Sequence, residues 1–238
     1  MVIGIIGYGK MGKEIALLAE ERGHQIFDKI DLHNQDVLND WRPDLVDAAV
    51  EFTTPGQAYE NIKQCIEQGI PVVSGTTGWL HQKEELDLYC KEKNGTYFYA
   101  SNFSLGVNIT FKLNDFLARV MNLYPDFKVS MEETHHIEKK DAPSGTAITL
   151  AEGIIERMDR LDQWTLDQTP QPGKLSINSL RQGKVPGTHT VKYLSGYDEI
   201  TLQHKALNRQ GFALGAVLVT EWIQNRKGIL SMDDFLDL

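Results

Sequence analysis

The densest reactive stretch of the chain is Glu133-Thr-His-His-Ile-Glu-Lys-Lys-Asp-Ala-Pro-Ser-Gly-Thr-Ala147. It sets two adjacent histidines, His135 and His136, just ahead of two lysines, Lys139 and Lys140, and closes in a Pro-Ser-Gly-Thr turn. Histidine exchanges a proton near neutral pH, and a positioned lysine can donate one or hold an anion. The turn reads as a helix start. There the N–H groups of Gly145 and Thr146, with the Thr146 hydroxyl, could grip an anion. Ser144 could instead be only the N-cap. The histidines could make ordinary hydrogen bonds at a strand end. In a continuing strand their side chains would face opposite sides, so both line one pocket only if the strand stops at the pair. No His-Glu-x-x-His motif and no nearby cysteine accompany them, so no metal site is expected.

A second constellation lies at the N-terminus. Gly7-Tyr8-Gly9-Lys10-Met11-Gly12 follows an apolar run and precedes a helical pattern. This is the G-x-G-x-x-G fingerprint of Rossmann-type dinucleotide sites, in its required context. Gly7 permits the tight turn, Gly9 lets backbone approach a pyrophosphate, and Gly12 lets the helix pack close to the strand. The helix N-terminus then offers free N–H groups to the anion. An acidic residue about 20 positions on should bind the adenosine ribose. Asp28 is the expected residue, with Asp31 as second choice because it falls beyond the expected strand end. Asp28 favours NADH; the neighbouring Lys29 could receive the 2′-phosphate of NADPH or be a solvated charge. Use of both cofactors is therefore expected.

The elements that must hold these residues follow from hydrophobic period. Residues 2–6, 24–28, 44–52, 72–74 and 96–100 read as strands, alternating with helices after Gly9, at 56–68 and at 81–93. Such alternation implies a parallel sheet covered on both faces. The pattern changes near residue 103. A helix at 104–123 precedes FKVSMEETHH at 127–136, whose apolar and polar residues alternate as in a half-buried strand of an antiparallel or mixed sheet. A helix runs from the Pro-Ser-Gly-Thr turn to about 158, 162–174 reads as a surface loop, strands follow at 175–182, 188–195 and 198–207, and a last helix covers about 211–225. The fold class expected is α/β: an N-terminal Rossmann-like nucleotide-binding domain with a central α+β domain.

Composition narrows the function classes. The chain has 238 residues, 41% of them hydrophobic, which suits a full globular core and excludes disordered classes. Its formal net charge of −9 argues against nucleic-acid or anionic-membrane binding, but not against a small anionic ligand in a locally basic site. The two cysteines, Cys65 and Cys90, form no Cys-x-x-Cys pair and suit a reducing cytoplasm. No apolar run approaches the roughly 20 residues that cross a bilayer.

Together these motifs closely resemble the 4-hydroxy-tetrahydrodipicolinate reductase (dihydrodipicolinate reductase) family. The shared pieces are GYGKMG at 7–12, VEFTTP at 50–55, GTTGW at 75–79, ASNFSLGVN at 100–108, the unbroken run from Glu133 to Ala147, RQGKVPGTHTV at 181–191, His204, Arg209 and FALGA at 212–216. The resemblance implies a nucleotide-binding domain built from both chain ends, 1–103 plus 209–238, and a substrate-binding and oligomerisation domain at 104–208. It also implies a homotetramer. Gly7, Tyr8, Gly9, Lys10, Met11, Gly12, Asp28 and Lys29 would serve the cofactor, NADH or NADPH. Gly75, Thr76 and Thr77 would line its nicotinamide side, as would Ala100, Ser101, Asn102 and Phe103. His135 and Lys139 would be the catalytic proton carriers. His136, Gly145 and Thr146 would bind a small dicarboxylate substrate. The implied activity is reduction of 4-hydroxy-tetrahydrodipicolinate with loss of water, in lysine and diaminopimelate biosynthesis. Two rival readings are another two-domain dehydrogenase, which would not need the Glu133–Ala147 run, and a non-catalytic nicotinamide sensor, which would bind cofactor without turnover.

Overall fold

The computed structural model describes residues 1–169, 171–208 and 210–237. The chain splits into two compact units, Met1–Leu105 with Gln210–Leu238, and Gly106–Arg209. Arg209 itself lies outside the described residues.

The first unit begins with β1 (Val2–Ile6), α1 (Lys10–Glu21) and β2 (Gln25–Ile30). A 3-10 turn at Gln35–Asp40 leads to β3 (Ala48–Glu51), α2 (Pro55–Glu67) and β4 (Val72–Ser74). Then come α3 (Lys83–Glu92) and β5 (Thr96–Tyr99). Gly12, Ile15, Ala16 and Ala19 make the buried face of α1, at helical spacing. Pro55 starts α2, where its missing N–H has no helical partner to lose.

In the second unit α4 (Leu105–Asn122) precedes β6 (Lys128–His135) and α5 (Gly145–Arg157). Four strands follow: β7 (Leu161–Thr165), β8 (Gly173–Arg181), β9 (Gly187–Leu194) and β10 (Glu199–Ala206). They form a mixed sheet in the order β10-β9-β6-β8-β7, with β6 antiparallel to β9 and parallel to β8. Met131 from β6, Leu175 and Ile177 from β8, and Val191 and Tyr193 from β9 bury against Ala118 and Met121 of α4 and Leu150, Ala151 and Ile154 of α5. Arg160 closes the corner between helix and sheet by donating to the carbonyls of Met121, Asn122 and Phe127. Where the sequence reads as a loop from 162, β7 forms a polar edge strand instead. Its Leu-Asp-Gln-Trp-Thr sequence carries little alternation, and parallel pairing with β8 supplies what periodicity lacks.

The chain then returns to the first unit as α6 (Gln210–Ile223), β11 (Gly228–Leu230) and α7 (Met232–Leu236). β11 and α7 are too short to leave a periodic signal. β11 pairs with β5 to complete an all-parallel sheet ordered β11-β5-β4-β3-β1-β2. Successive strand residues feed opposite faces, as a pleated strand must. Ile3, Ile5, Val50, Val73 and Phe98 pack with α1 and α6, while Ile6, Ala49, Val72 and Tyr97 pack with α2 and α3. This is a Rossmann-like α/β unit.

Within that unit α6 seats closely on the segment after β5. A Cβ added at Gly215 would lie 1.7 Å from the carbonyl oxygen of Phe103, whereas one at Gly211 of the same helix would meet nothing within 4 Å. Gly215→Ala is therefore expected to cost about 1–3 kcal/mol by overpacking, and Gly211→Ala to be neutral or slightly stabilising. Thermal unfolding of the two variants checks this; equal midpoints would contradict the close contact.

Candidate active site

In the first unit, β1 delivers the glycine turn to the carboxyl edge of the sheet. Gly7 has φ of +96°, and a Cβ there would lie 2.1 Å from the Phe52 carbonyl oxygen. A Cβ at Gly12 would lie 2.2 Å from the Gly7 carbonyl oxygen. Both positions are thus closed to other residues. At Gly9 a Cβ would meet nothing within 4 Å, so this glycine faces open space at the N-cap of α1. The first N–H groups of a helix have no intrahelical acceptor. The turn therefore presents open backbone donors where a pyrophosphate would sit. Lys10 is exposed and Met11 packs on the core, so within 7–12 backbone serves better than side chain.

Asp28 does not line the cleft beside the glycine turn, and Asp31 does. β2 has an irregularity opposite β1: Ile3 pairs with Ile26 but Ile5 with Lys29, so β2 carries one extra residue. The strand continues to Ile30, beyond the expected end at residue 28. Asp28 sits at the irregularity, and its carboxylate accepts the N–H of Lys29 at 2.8 Å. The acid at the strand end is Asp31. The N–H groups of Gly7 and Tyr8 both donate to the Ile30 carbonyl, at 2.9 and 3.0 Å, which holds Asp31 next to the glycine turn. A cleft of about 540 Å³ opens there, lined by Gly7, Tyr8, Gly9, Asp31, Leu32, Asp36, Thr53, Glu60 and Asn61 among others, but not by Asp28 or Lys29. The Lys29 ammonium lies 3.7 Å from Glu20 and 5.2 Å from the Tyr8 ring centre.

The loops after β3, β4 and β5 meet at the same edge of this unit. A Cβ at Gly75 would lie 2.2 Å from the Phe52 ring and 3.0 Å from the Phe103 ring, so glycine is what lets the two aromatic residues pack there. Ala100, Phe103 and Thr76 are buried, while Thr77 and Ser101 are exposed and Asn102 half-buried. Phe103 and Ala100 therefore brace the loop, leaving the exposed positions and backbone to meet a ligand. The Asn102 side chain accepts the Ser104 N–H at 2.9 Å. Beneath lies a residue the sequence reading passed over. Glu51 is fully buried and accepts hydrogen bonds from Ser74 Oγ at 2.6 Å, Thr76 Oγ1 at 3.0 Å, and the Thr53 N–H and hydroxyl. Burial pushes its carboxyl up from the ordinary range, and these donors pull against it.

In the second unit, β6 stops at His135, so His136 leaves the strand. His135 shares the buried face with Glu133, two residues earlier. His136 lines a hollow with Gly183, Lys184 and Asn208. Lys139 extends from the following loop and pairs with Asp141 at 2.8 Å; that ammonium holds the Asp141 carboxyl below its ordinary range. Ser144 does cap α5: its Oγ accepts the Ala147 N–H at 3.2 Å. The N–H groups of Gly145 and Thr146 precede that bond and have no intrahelical acceptor. A Cβ at Gly145 would meet nothing within 4 Å. Capping and anion binding are thus compatible, because they use different N–H groups.

Three residues outside the expected site set surround His135: Glu133, Arg181 and His189. Glu133, with no exposed area, accepts the Ser144 N–H and an Arg181 N–H on Oε1, both at 3.1 Å, and its Oε2 lies 3.1 Å from His135 Nδ1. Burial would raise this carboxyl, yet His135, Ser144 and Arg181 together hold it well below the usual carboxylate range. His189 pairs with Glu133 across the sheet, and its Nε2 is 3.1 Å from Ser144 Oγ. Period-two spacing alone points to Glu133. Arg181 and His189 stand in the 181–191 run shared with the family, but only strand register places them beside Glu133 and His135. Glu133, His135 and His189 each offer an atom within 4.8 Å of one another, a spacing that a cation could also use. Here the Arg181 guanidinium already supplies positive charge to that carboxylate.

Burial, followed by the charge of His135, holds the His189 imidazole down to about 4 from an ordinary value of about 6.5. The unfolded chain therefore takes up this proton first as pH falls. The contribution of His189 to stability is full above about pH 6.5 and declines from there towards pH 4. Unfolding midpoints measured across that range should fall, and His189→Asn should flatten the slope; parallel slopes would refute this.

Residues 1–103 match the family described as dihydrodipicolinate reductase, N-terminus, and residues 106–236 match dihydrodipicolinate reductase, C-terminus. The 4-hydroxy-tetrahydrodipicolinate reductase of Christiangramia forsetii is 45% identical, covering 99% of this chain and 98% of that protein. The enzyme of the same name from Methanocaldococcus jannaschii is 35% identical over 98% of this chain and 81% of its own length. The dipicolinate-bound dihydrodipicolinate reductase from Paenisporosarcina sp. TG-14 shares the fold, with a TM-score of 0.80 over 99% of both chains at 22% identity. With both halves matched and a relative similar from end to end, this chain belongs to the dihydrodipicolinate reductase family.

Proposed function

We propose that the protein reduces 4-hydroxy-tetrahydrodipicolinate to tetrahydrodipicolinate, with loss of water, in lysine and diaminopimelate biosynthesis. The observation that carries this is the unbroken Glu133–Ala147 run, folded so that a histidine at a strand end, a lysine on the next loop and a helix N-terminus belong to one short segment. A bound nicotinamide cofactor supplies the hydride. The chain's own work is to hold the substrate and move protons. The N–H groups of Gly145 and Thr146 take one substrate carboxylate, and His136 contributes to substrate binding. His135 exchanges a proton at its ring. Lys139 delivers one from Nζ, which requires the ammonium to turn from Asp141 to the substrate.

The cleft beside the glycine turn supports NADH as the preferred cofactor. Asp31, Asp36 and Glu60 line it, and its lining includes no lysine or arginine. A 2′-phosphate would meet these carboxylates first, with Lys13 and Lys29 standing behind the Tyr8 ring at 5.7 and 5.2 Å from its centre. Dual use still follows, because the repulsion is exposed to solvent and screened. The family resemblance extends the proposal to a homotetramer. The substrate partner is a small dicarboxylate, with no nucleic-acid or membrane partner. The cytoplasm is the expected compartment, in keeping with the free buried thiols of Cys65 and Cys90. No helix is long and apolar enough to cross a membrane among the described residues.

A coupled assay with the product of the preceding synthase, run with NADH and NADPH side by side, tests the activity; no cofactor oxidation would overturn it. The kcat/KM ratio should favour NADH by about tenfold or more, equivalent to about 1.4 kcal/mol. Asp31→Ser should narrow it through a gain with NADPH, while Asp28→Ser should leave it unchanged. Lys139→Ala should lower kcat about 10²- to 10⁴-fold with NADH affinity intact. A rise in substrate KM alone would make Lys139 a carboxylate clamp.

A further inference from the structure

We infer that Glu133 is the positioning residue of the site: it fixes the tautomer of His135 and ties that ring to the Lys139 loop and to the start of α5. The inference rests on the role proposed above for His135.

An ionised carboxylate accepts hydrogen bonds and cannot donate them. Oε1 of Glu133 is supplied by the Ser144 N–H and by Arg181 Nη2. Oε2 is buried and has no conventional hydrogen-bond partner, and the same holds for Nδ1 of His135. These two atoms lie 3.1 Å apart, close but off the line of a hydrogen bond. The other ring near Oε2 is His189, whose Nε2 is farther, at 3.9 Å, and already faces Ser144 Oγ. Ser144 Oγ accepts the Ala147 N–H and keeps its own hydrogen and a second lone pair, so it can pair with His189 Nε2 in either direction. In both cases that nitrogen is engaged at Ser144, 3.1 Å away, and stands too far from Oε2 to supply it. The arrangement thus calls for a hydrogen on His135 Nδ1, shared with Oε2, and a small ring rotation aligns the pair.

The opposite nitrogen is left for chemistry. His135 Nε2 faces Gly187, where an added Cβ would approach it to 3.1 Å. Glycine keeps the approach to Nε2 uncrowded. Arg181 extends the control beyond the ring. While one N–H holds Glu133, others donate to the backbone carbonyls of Lys139 at 3.3 Å and of Asp141. One buried carboxylate therefore reaches the proton-exchanging ring, the lysine loop and the helix start that would hold a carboxylate.

The test reads the ring directly. In the full chain carrying ring-¹⁵N histidine, with the His135 signals assigned by His135→Gln, spectra at alkaline pH should show hydrogen on Nδ1 and none on Nε2. Wild-type protein with the hydrogen on Nε2 overturns the proposal, whether or not any variant folds. In Glu133→Gln that single tautomer should be lost, and kcat should fall at least about 30-fold, since wrong-tautomer losses can reach about 10⁴. Substrate KM should stay within about threefold, and Glu133→Asp, which keeps the charge, should recover part of kcat. A folded Glu133→Gln protein with wild-type kcat, or with KM alone changed, overturns it. If wild-type protein lacks turnover, the activity reading fails, while the tautomer measurement still decides the role of Glu133.

Discussion

A carboxylate shut away from water must find donors or give up its charge. Glu133 has no exposed surface, and the second unit is arranged so that it keeps its charge. Register on one side of β6 sets His189 opposite Glu133, and register on the other sets Arg181 opposite His135. The turn before α5 adds a backbone N–H from Ser144. These contacts bring a strand end, a loop and a helix start onto one side chain. Groups that would bind and protonate a substrate are held in order by a residue that need not touch it.

The first unit solves a different problem with the same economy of parts. A pyrophosphate needs donors at close range, and side chains would stand in the way. At Gly7 and Gly12 an added Cβ would fall 2.1 and 2.2 Å from neighbouring carbonyl oxygens, so only glycine fits, while Gly9 remains open. The strand beside them ends two residues later than its sequence suggests and carries one extra residue after Ile26. That shift replaces Asp28 with Asp31 at the cleft. The formal charge of −9 is thus no obstacle to anionic ligands. As proposed, both sites would use backbone dipoles, which a count of charged side chains omits.

Much of this was legible in the residues alone. The glycine spacing, the alternation of strand and helix up to residue 100 and the helix start at Ser144 follow from local rules of period, turn chemistry and capping. The unbroken run from Glu133 to Ala147 identified the family. Local rules failed where neighbours supplied the ordering. β7 and β11 are strands because adjacent strands offer them hydrogen bonds, not because their sequences alternate. The end of β2 moved for the same reason.

The sequence by itself determined which chemical groups exist and how closely they follow one another along the chain: His135, Lys139, Gly145 and the Gly7–Gly12 turn. It could not decide which side chains far apart in sequence would share a buried charge. Arg181 lies 48 residues from Glu133, and Ser144 lies 45 from His189. Only pairing of β6 with β8 and β9 makes them neighbours, since strand register is a contact between distant segments with no local signature. The same pairing buries Glu133, and burial is what turns an ordinary acid into one that must be answered by His135, Arg181 and Ser144.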